Sequence, residues 1–76
     1  MRYKILVMSS VTYALKAQGI LAHEGISTRL EKLSRDQSLR GCGYGLRIES
    51  SKISRAGDIL AAQNIKVTEI IEYKER

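Results

Sequence analysis

At 76 residues, without tryptophan, phenylalanine or proline, the chain is expected to form one domain with a core of Ile, Leu, Val, Ala, Met and Tyr. One cysteine and one histidine exclude an internal disulfide and cannot fill a tetrahedral zinc site unaided. The formal charge of +5 comes from 13 Lys and Arg against 8 Asp and Glu. These residues are scattered without a basic run of three, which reads as a mildly basic solvated surface rather than a nucleic-acid stripe.

The chain opens "MRYKILVMSS". Its apolar run is too short for a signal peptide, and no small-residue cleavage site follows. No segment approaches the roughly 20 apolar residues of a membrane span. With an unpaired thiol, the expected setting is cytoplasmic.

The run "YKILVMS" predicts a first strand. Ser10 then stands where an N-cap is wanted. Ala14, Ala17, Ile20, Leu21 and Ala22 place an apolar face on the helix that follows, and Gly25 supplies its left-handed exit. "STRLEKLS" predicts a second strand, and "SRDQSLRGCG" a polar turn. "YGLRIE" predicts a third strand, with Ser50 or Ser51 as the next N-cap. Ile53, Ala56, Ile59, Leu60 and Ala61 repeat the helical face at an offset of 39 residues, and Asn64 occupies the place of Gly25. "KVTEIIEY" predicts the last strand. The order is β-α-β-β-α-β, in pseudo-repeated halves of about 3–34 and 44–73. Two such halves sharing a sheet predict a ferredoxin-like α/β (α+β) two-layer sandwich, with a four-stranded antiparallel sheet and two helices on one face.

Ile5 and Val7, with Leu46 and Ile48, are expected to face the helices. Leu6 and Met8 would then emerge on the uncovered sheet face, joined by Ile70. A partly apolar open sheet commonly dimerises or docks another protein, so a homo-oligomer is expected. Tyr3 and Tyr44 would also face the helices, away from where RNA-recognition domains present stacking aromatics, and nucleic acid is not the expected partner.

Cys42 lies between two glycines in the predicted turn. The fold would bring this turn to the sheet edge holding Ser9, Ser10 and the first helix N-terminus. A helix N-terminus and nearby cations (Arg35, Arg40 and Arg47 are close in sequence) favour the reactive thiolate. Gly43 and Gly45 amides, the Ser9 or Ser10 hydroxyls and Arg47 are candidate supports for an anionic adduct on that sulfur. The competing readings are that Cys42 is a small apolar residue packed at a tight turn, and that Arg47 belongs to a solvated strand face. His23 belongs to the opposite edge, in the last turn of its helix. Glu31, Asp36 and Glu49 form no paired arrangement for acid–base chemistry. A dithiol oxidoreductase needs a resolving cysteine, and a copper carrier of this fold a Cys-x-x-Cys where this chain reads Met8-Ser9-Ser10-Val11-Thr12; neither fits.

The segments "MSSVTYALKAQGILAHEGI" and "CGYGLRI" resemble the small bacterial and archaeal family of selenium/sulfur (Se/S) carrier protein-like sequences. The resemblance is carried by Ser9 or Ser10 at the strand end, Ala14-Leu15, Gly25-Ile26, Cys42-Gly43 and Leu46-Arg47. Where relatives carry a proline–arginine pair, this chain has no proline, and Arg35 and Ser38 occupy the region. The resemblance implies a carrier or accessory protein rather than an enzyme, with Cys42 as the carrier thiol. Such a protein would hold sulfur or selenium as a persulfide or selenopersulfide, taken from a donor enzyme such as a cysteine desulfurase. It needs no cofactor and no metal. The alternative is a small dimeric interaction or regulatory module with no chemistry at the cysteine.

Overall fold

The computed structural model describes residues 2–33 and 43–73. In chain order these form β1 (Tyr3–Met8), α1 (Val11–His23), β2 (Arg29–Lys32), β3 (Tyr44–Glu49), a 3-10 turn (Ser50–Lys52), α2 (Ile53–Ala62) and β4 (Val67–Glu72). The sheet order is β2-β3-β1-β4, and every neighbouring pair is antiparallel. This is the expected ferredoxin-like arrangement, an α+β two-layer sandwich with β1 and β3 at its centre. No helix among the described residues is long and apolar enough to cross a membrane.

Capping chemistry bounds α1 at both ends. Ser10 is extended (φ −153°, ψ 159°), and its hydroxyl oxygen accepts the Tyr13 N–H at 3.2 Å. Its carbonyl accepts the Ala14 N–H at 3.1 Å as the first regular helical bond, so the hydroxyl satisfies one of the orphan amides of the first turn, that of Tyr13. At the other end Gly25 takes φ +80°, and Asn64 takes φ +61° after α2. Ile26 N–H returns to Leu21 C=O at 2.8 Å, and Ile65 N–H to Leu60 C=O at 2.9 Å. Both exits are the same left-handed cap, each closed by a buried isoleucine against a buried leucine. The start of α2 departs from expectation. Ser50 and Ser51 lie in the 3-10 turn, the capping position falls to Lys52 without a side-chain bond, and the Ser51 hydroxyl donates to Glu49 at 3.0 Å.

The side-chain parity of β1 is the reverse of the expectation. Leu6 and Met8 are fully buried against α1 and α2, in one cluster with Ala14, Ala17, Leu21, Leu46, Ile48, Ala56 and Leu60. Ile5 and Val7 point to the other face, where they cluster with Leu33, Ile71 and Tyr73. Register explains the reversal. Leu6 pairs with Leu46 and with Ile70, and Leu46 pairs with Leu30, so one row crosses the sheet on the helix side. The run "ILVM", Ile5 to Met8, is apolar on both faces and contains no alternation from which its inward side could be read. Tyr3 shares parity with Ile5 and turns away from the helices, whereas Tyr44 shares the helix-side parity of Leu46 and Ile48.

Between Val7 and Met8 the pairing with β4 shifts by one residue. Thr68 is the extra residue, and its hydroxyl donates to the Val7 carbonyl at 2.9 Å. The side chain thus supplies a bond to a carbonyl at the break in the ladder.

With Leu6 inside the core, Leu6→Ala is expected to destabilise the fold by about 2–5 kcal/mol. Leu6→Glu is expected to abolish cooperative unfolding rather than dissociate an oligomer. Ile70, half exposed, is expected to tolerate Glu with a change within about 0.5 kcal/mol. Urea unfolding followed by circular dichroism measures all three.

Candidate functional site

β1, α1 and β3 meet at the end of the sheet where Gly43, the residue that follows Cys42 in the chain, stands. β1 leaves the sheet at Met8, and Ser9 and Ser10 lead directly into α1. β3 runs antiparallel to β1 with Val7 opposite Gly45, so continuing the register by two residues sets Gly43 opposite Ser9. Gly43 takes φ +88°, a conformation that side chains rarely adopt. Its carbonyl accepts the Leu33 N–H at 2.6 Å, which carries the β2–β3 ladder to this pair. Cys42 itself, with Arg35, Ser38 and Arg40, lies outside the described residues. The sheet end that sequence reasoning assigned to the thiol therefore holds Gly43, Ser9, Ser10 and the N-terminus of α1.

The proposed supports around that end separate into different roles. Ser9 is exposed. Ser10 spends an oxygen lone pair on the Tyr13 amide and keeps its hydroxyl proton available to donate. Gly45 is not an adduct amide. It is buried in a central strand, paired with Val7 on one side and Glu31 on the other, and its N–H belongs to the ladder. Its glycine identity has a packing cause: a Cβ there would stand 2.5 Å from Ile5 Cγ2 and 2.8 Å from the Leu6 carbonyl oxygen.

Arg47 is also placed elsewhere. Four residues along β3 from Gly43 is about 13 Å at strand rise. Its Nη1 lies 3.4 Å from Glu31 Oε2. Its guanidinium stands 5.0 Å from the Tyr3 ring centroid and 4.7 Å from that of Tyr73. The two rings meet edge to face at 6.1 Å. This is a structural stack on the sheet face away from the helices, with each cation–ring contact worth about 0.5–1 kcal/mol. Alternation with Leu46 and Ile48 signals the outward face of Arg47. Its partners Glu31 and Tyr73 become visible only once strand register is known.

At the same end of the sheet as Tyr3 and Glu49, a cleft of about 260 Å³ opens, lined also by Ser27, Thr28, Arg29, Arg47 and Lys52. No feature of the sequence singled this cleft out, because its lining comes from four separate segments. His23 is exposed in the last turn of α1, at the end opposite Ser10. Of the three residues expected on a dimer face, Leu6 and Met8 are core residues, and Ile70 is 53% exposed on β4. There it borders an apolar groove with Gly57, Ala61, Ile65 and Val67.

A family model described as "Putative Se/S carrier protein-like" matches residues 2–72. The chain belongs to this family. No curated protein and no solved structure matches it. The family match spans all four strands and both helices, including the whole sheet end around Ser9, Ser10 and Gly43.

The two serines at this Se/S carrier-like sheet end differ in what they hold. Ser10→Ala is expected to lower stability by about 1 kcal/mol through loss of the cap. Ser9→Ala is expected to leave stability unchanged within about 0.5 kcal/mol. Thermal unfolding of the two variants checks this.

Proposed function

We propose that this protein is a single-cysteine carrier of sulfur or selenium, an accessory to donor and acceptor enzymes without turnover of its own. The observation that carries the reading is the family match over residues 2–72, which includes the one cysteine of the chain. Carriage requires one nucleophilic sulfur and no partner thiol in the same chain. The surrounding geometry favours that chemistry, because Gly43, Ser9, Ser10 and the N-terminus of α1 meet at one end of the sheet. A helix N-terminus stabilises nearby negative charge, and Ser10 retains a donor proton.

The transfer step balances without an oxidant. The Cys42 thiolate attacks the outer sulfur of a persulfide on a donor enzyme such as a cysteine desulfurase. A new S–S bond forms on Cys42, the donor's S–S bond breaks, and the donor cysteine leaves as thiolate. Release to an acceptor repeats the exchange in the other direction. Selenium follows the same course, with the Se–S bond of a selenopersulfide in place of S–S. The transferred atom keeps its oxidation state: the Cys42 sulfur rises by one unit as the donor cysteine sulfur falls by one, so no external oxidant is needed.

Intact mass after incubation with a cysteine desulfurase and cysteine tests this reading. The wild type is expected to gain one sulfur atom, removable by a thiol reductant, and Cys42→Ser is expected to gain none. No gain on the wild type, or an equal gain on both proteins, would overturn it.

A further inference from the structure

We propose that the cleft at the opposite end of β3 from Gly43 binds a small phosphate monoester. This inference is independent of the carrier reading. It begins from a cross-strand pair that stability does not explain. Arg29 and Arg47 stand directly opposite one another on β2 and β3, on the sheet face away from the helices, and both line the cleft. Like charges placed directly opposite destabilise a sheet. Glu31 offsets part of the Arg47 charge, but among the described residues no carboxylate pairs with Arg29. Lys52, also exposed and also unpaired among them, brings a third cation to the lining.

Three cations in one cleft face a single lining carboxylate, Glu49, whose Oε1 is bonded by the Ser51 hydroxyl. Arg47 is already oriented. Glu31 and the two tyrosine rings hold its guanidinium, and a guanidinium stacked on aromatic faces keeps its N–H donors in plane for an oxyanion. Thr28 also lines the cleft, and its Oγ1 is a buried polar atom without a hydrogen-bond partner among the described residues.

Charge and size select the class. Arginine forks with a lysine point charge suit the tetrahedral dianion of a phosphate monoester better than a single carboxylate. At about 260 Å³ the cleft falls just below the range of drug-sized pockets. It admits a phosphate group with a compact organic portion against Tyr3.

The test is a titration of the full-length protein at low ionic strength, followed by amide chemical shifts and calorimetry. The probes are AMP, ribose 5-phosphate and a short single-stranded oligonucleotide with a 5′-hydroxyl. Saturable binding of either monoester is expected, with shifts at Thr28, Arg29, Arg47 and Lys52. Losing two charge-assisted contacts in the double variant Arg29→Gln, Lys52→Gln is expected to weaken that binding about tenfold or more. Both substituted side chains are exposed, and an unchanged melting curve confirms that the variant folds. Absence of saturable monoester binding overturns the proposal, as does unchanged affinity in the double variant. Binding of the oligonucleotide without either monoester also overturns it, and assigns the cleft to nucleic acid.

Discussion

Everything in this sheet follows from a central strand whose last four residues present no polar side chain to either face. From Ile5 to Met8 each side chain of β1 is apolar and buried, so the chain must cover the strand from both sides. The two helices cover one side, packing alanines against Leu6 and Met8 so that the helix axes can approach the sheet closely. The other side is met by a smaller cluster, with Leu33, Ile71 and Tyr73 closing on Ile5 and Val7. Gly45 completes the arrangement, because Ile5 Cγ2 occupies the space its side chain would need.

The same constraint organises the polar groups. With part of the outward face taken by the aliphatic side chains of β1, the charged residues of β2 and β3 flank that row, Arg47 opposite Ile5 and Glu31 opposite Gly45. Arg47 is held between Glu31 and two tyrosines, and Arg29 lies beside it. One end of the sheet keeps small residues, Ser9, Ser10 and Gly43, around the exit of β1 into α1. The molecule thus has two chemically different ends on one sheet, a small-residue end at Gly43 and a cationic end bordering a cleft.

Much of this was legible in the sequence, and the reasons are specific. The helix exits were readable because glycine and asparagine are the residues best suited to the left-handed position, and Gly25 and Asn64 adopt it at matching places. The third strand was readable to the residue because Leu46 and Ile48 alternate with Arg47 and Glu49. The inward side of β1 was not, since continuous apolarity has no phase, and only pairing with Leu46 and Ile70 breaks the tie. That missing phase also misassigned Tyr3 and concealed the stack on Arg47. A serine cap on α2 looked equally good at two positions, yet an intervening 3-10 turn uses neither. The surroundings of Gly43 were legible through topology, whereas the commitment of Gly45 to the ladder and of Arg47 to the aromatic rings depends on register.

The bulge at Thr68 bears on how such a small sheet stays finite. A four-stranded sheet exposes two backbone edges, and either could template another strand. At one edge β2 is four residues long and carries Arg29 and Lys32 at its ends. At the other, the extra residue Thr68 breaks the even spacing of β4, and Glu69 and Glu72 add negative charge. Short, charged or kinked edges are poor templates for strand addition. Sheet growth by edge pairing is disfavoured on both sides, which leaves the side-chain faces and the turns, rather than the backbone, as the surfaces through which this protein can meet another molecule.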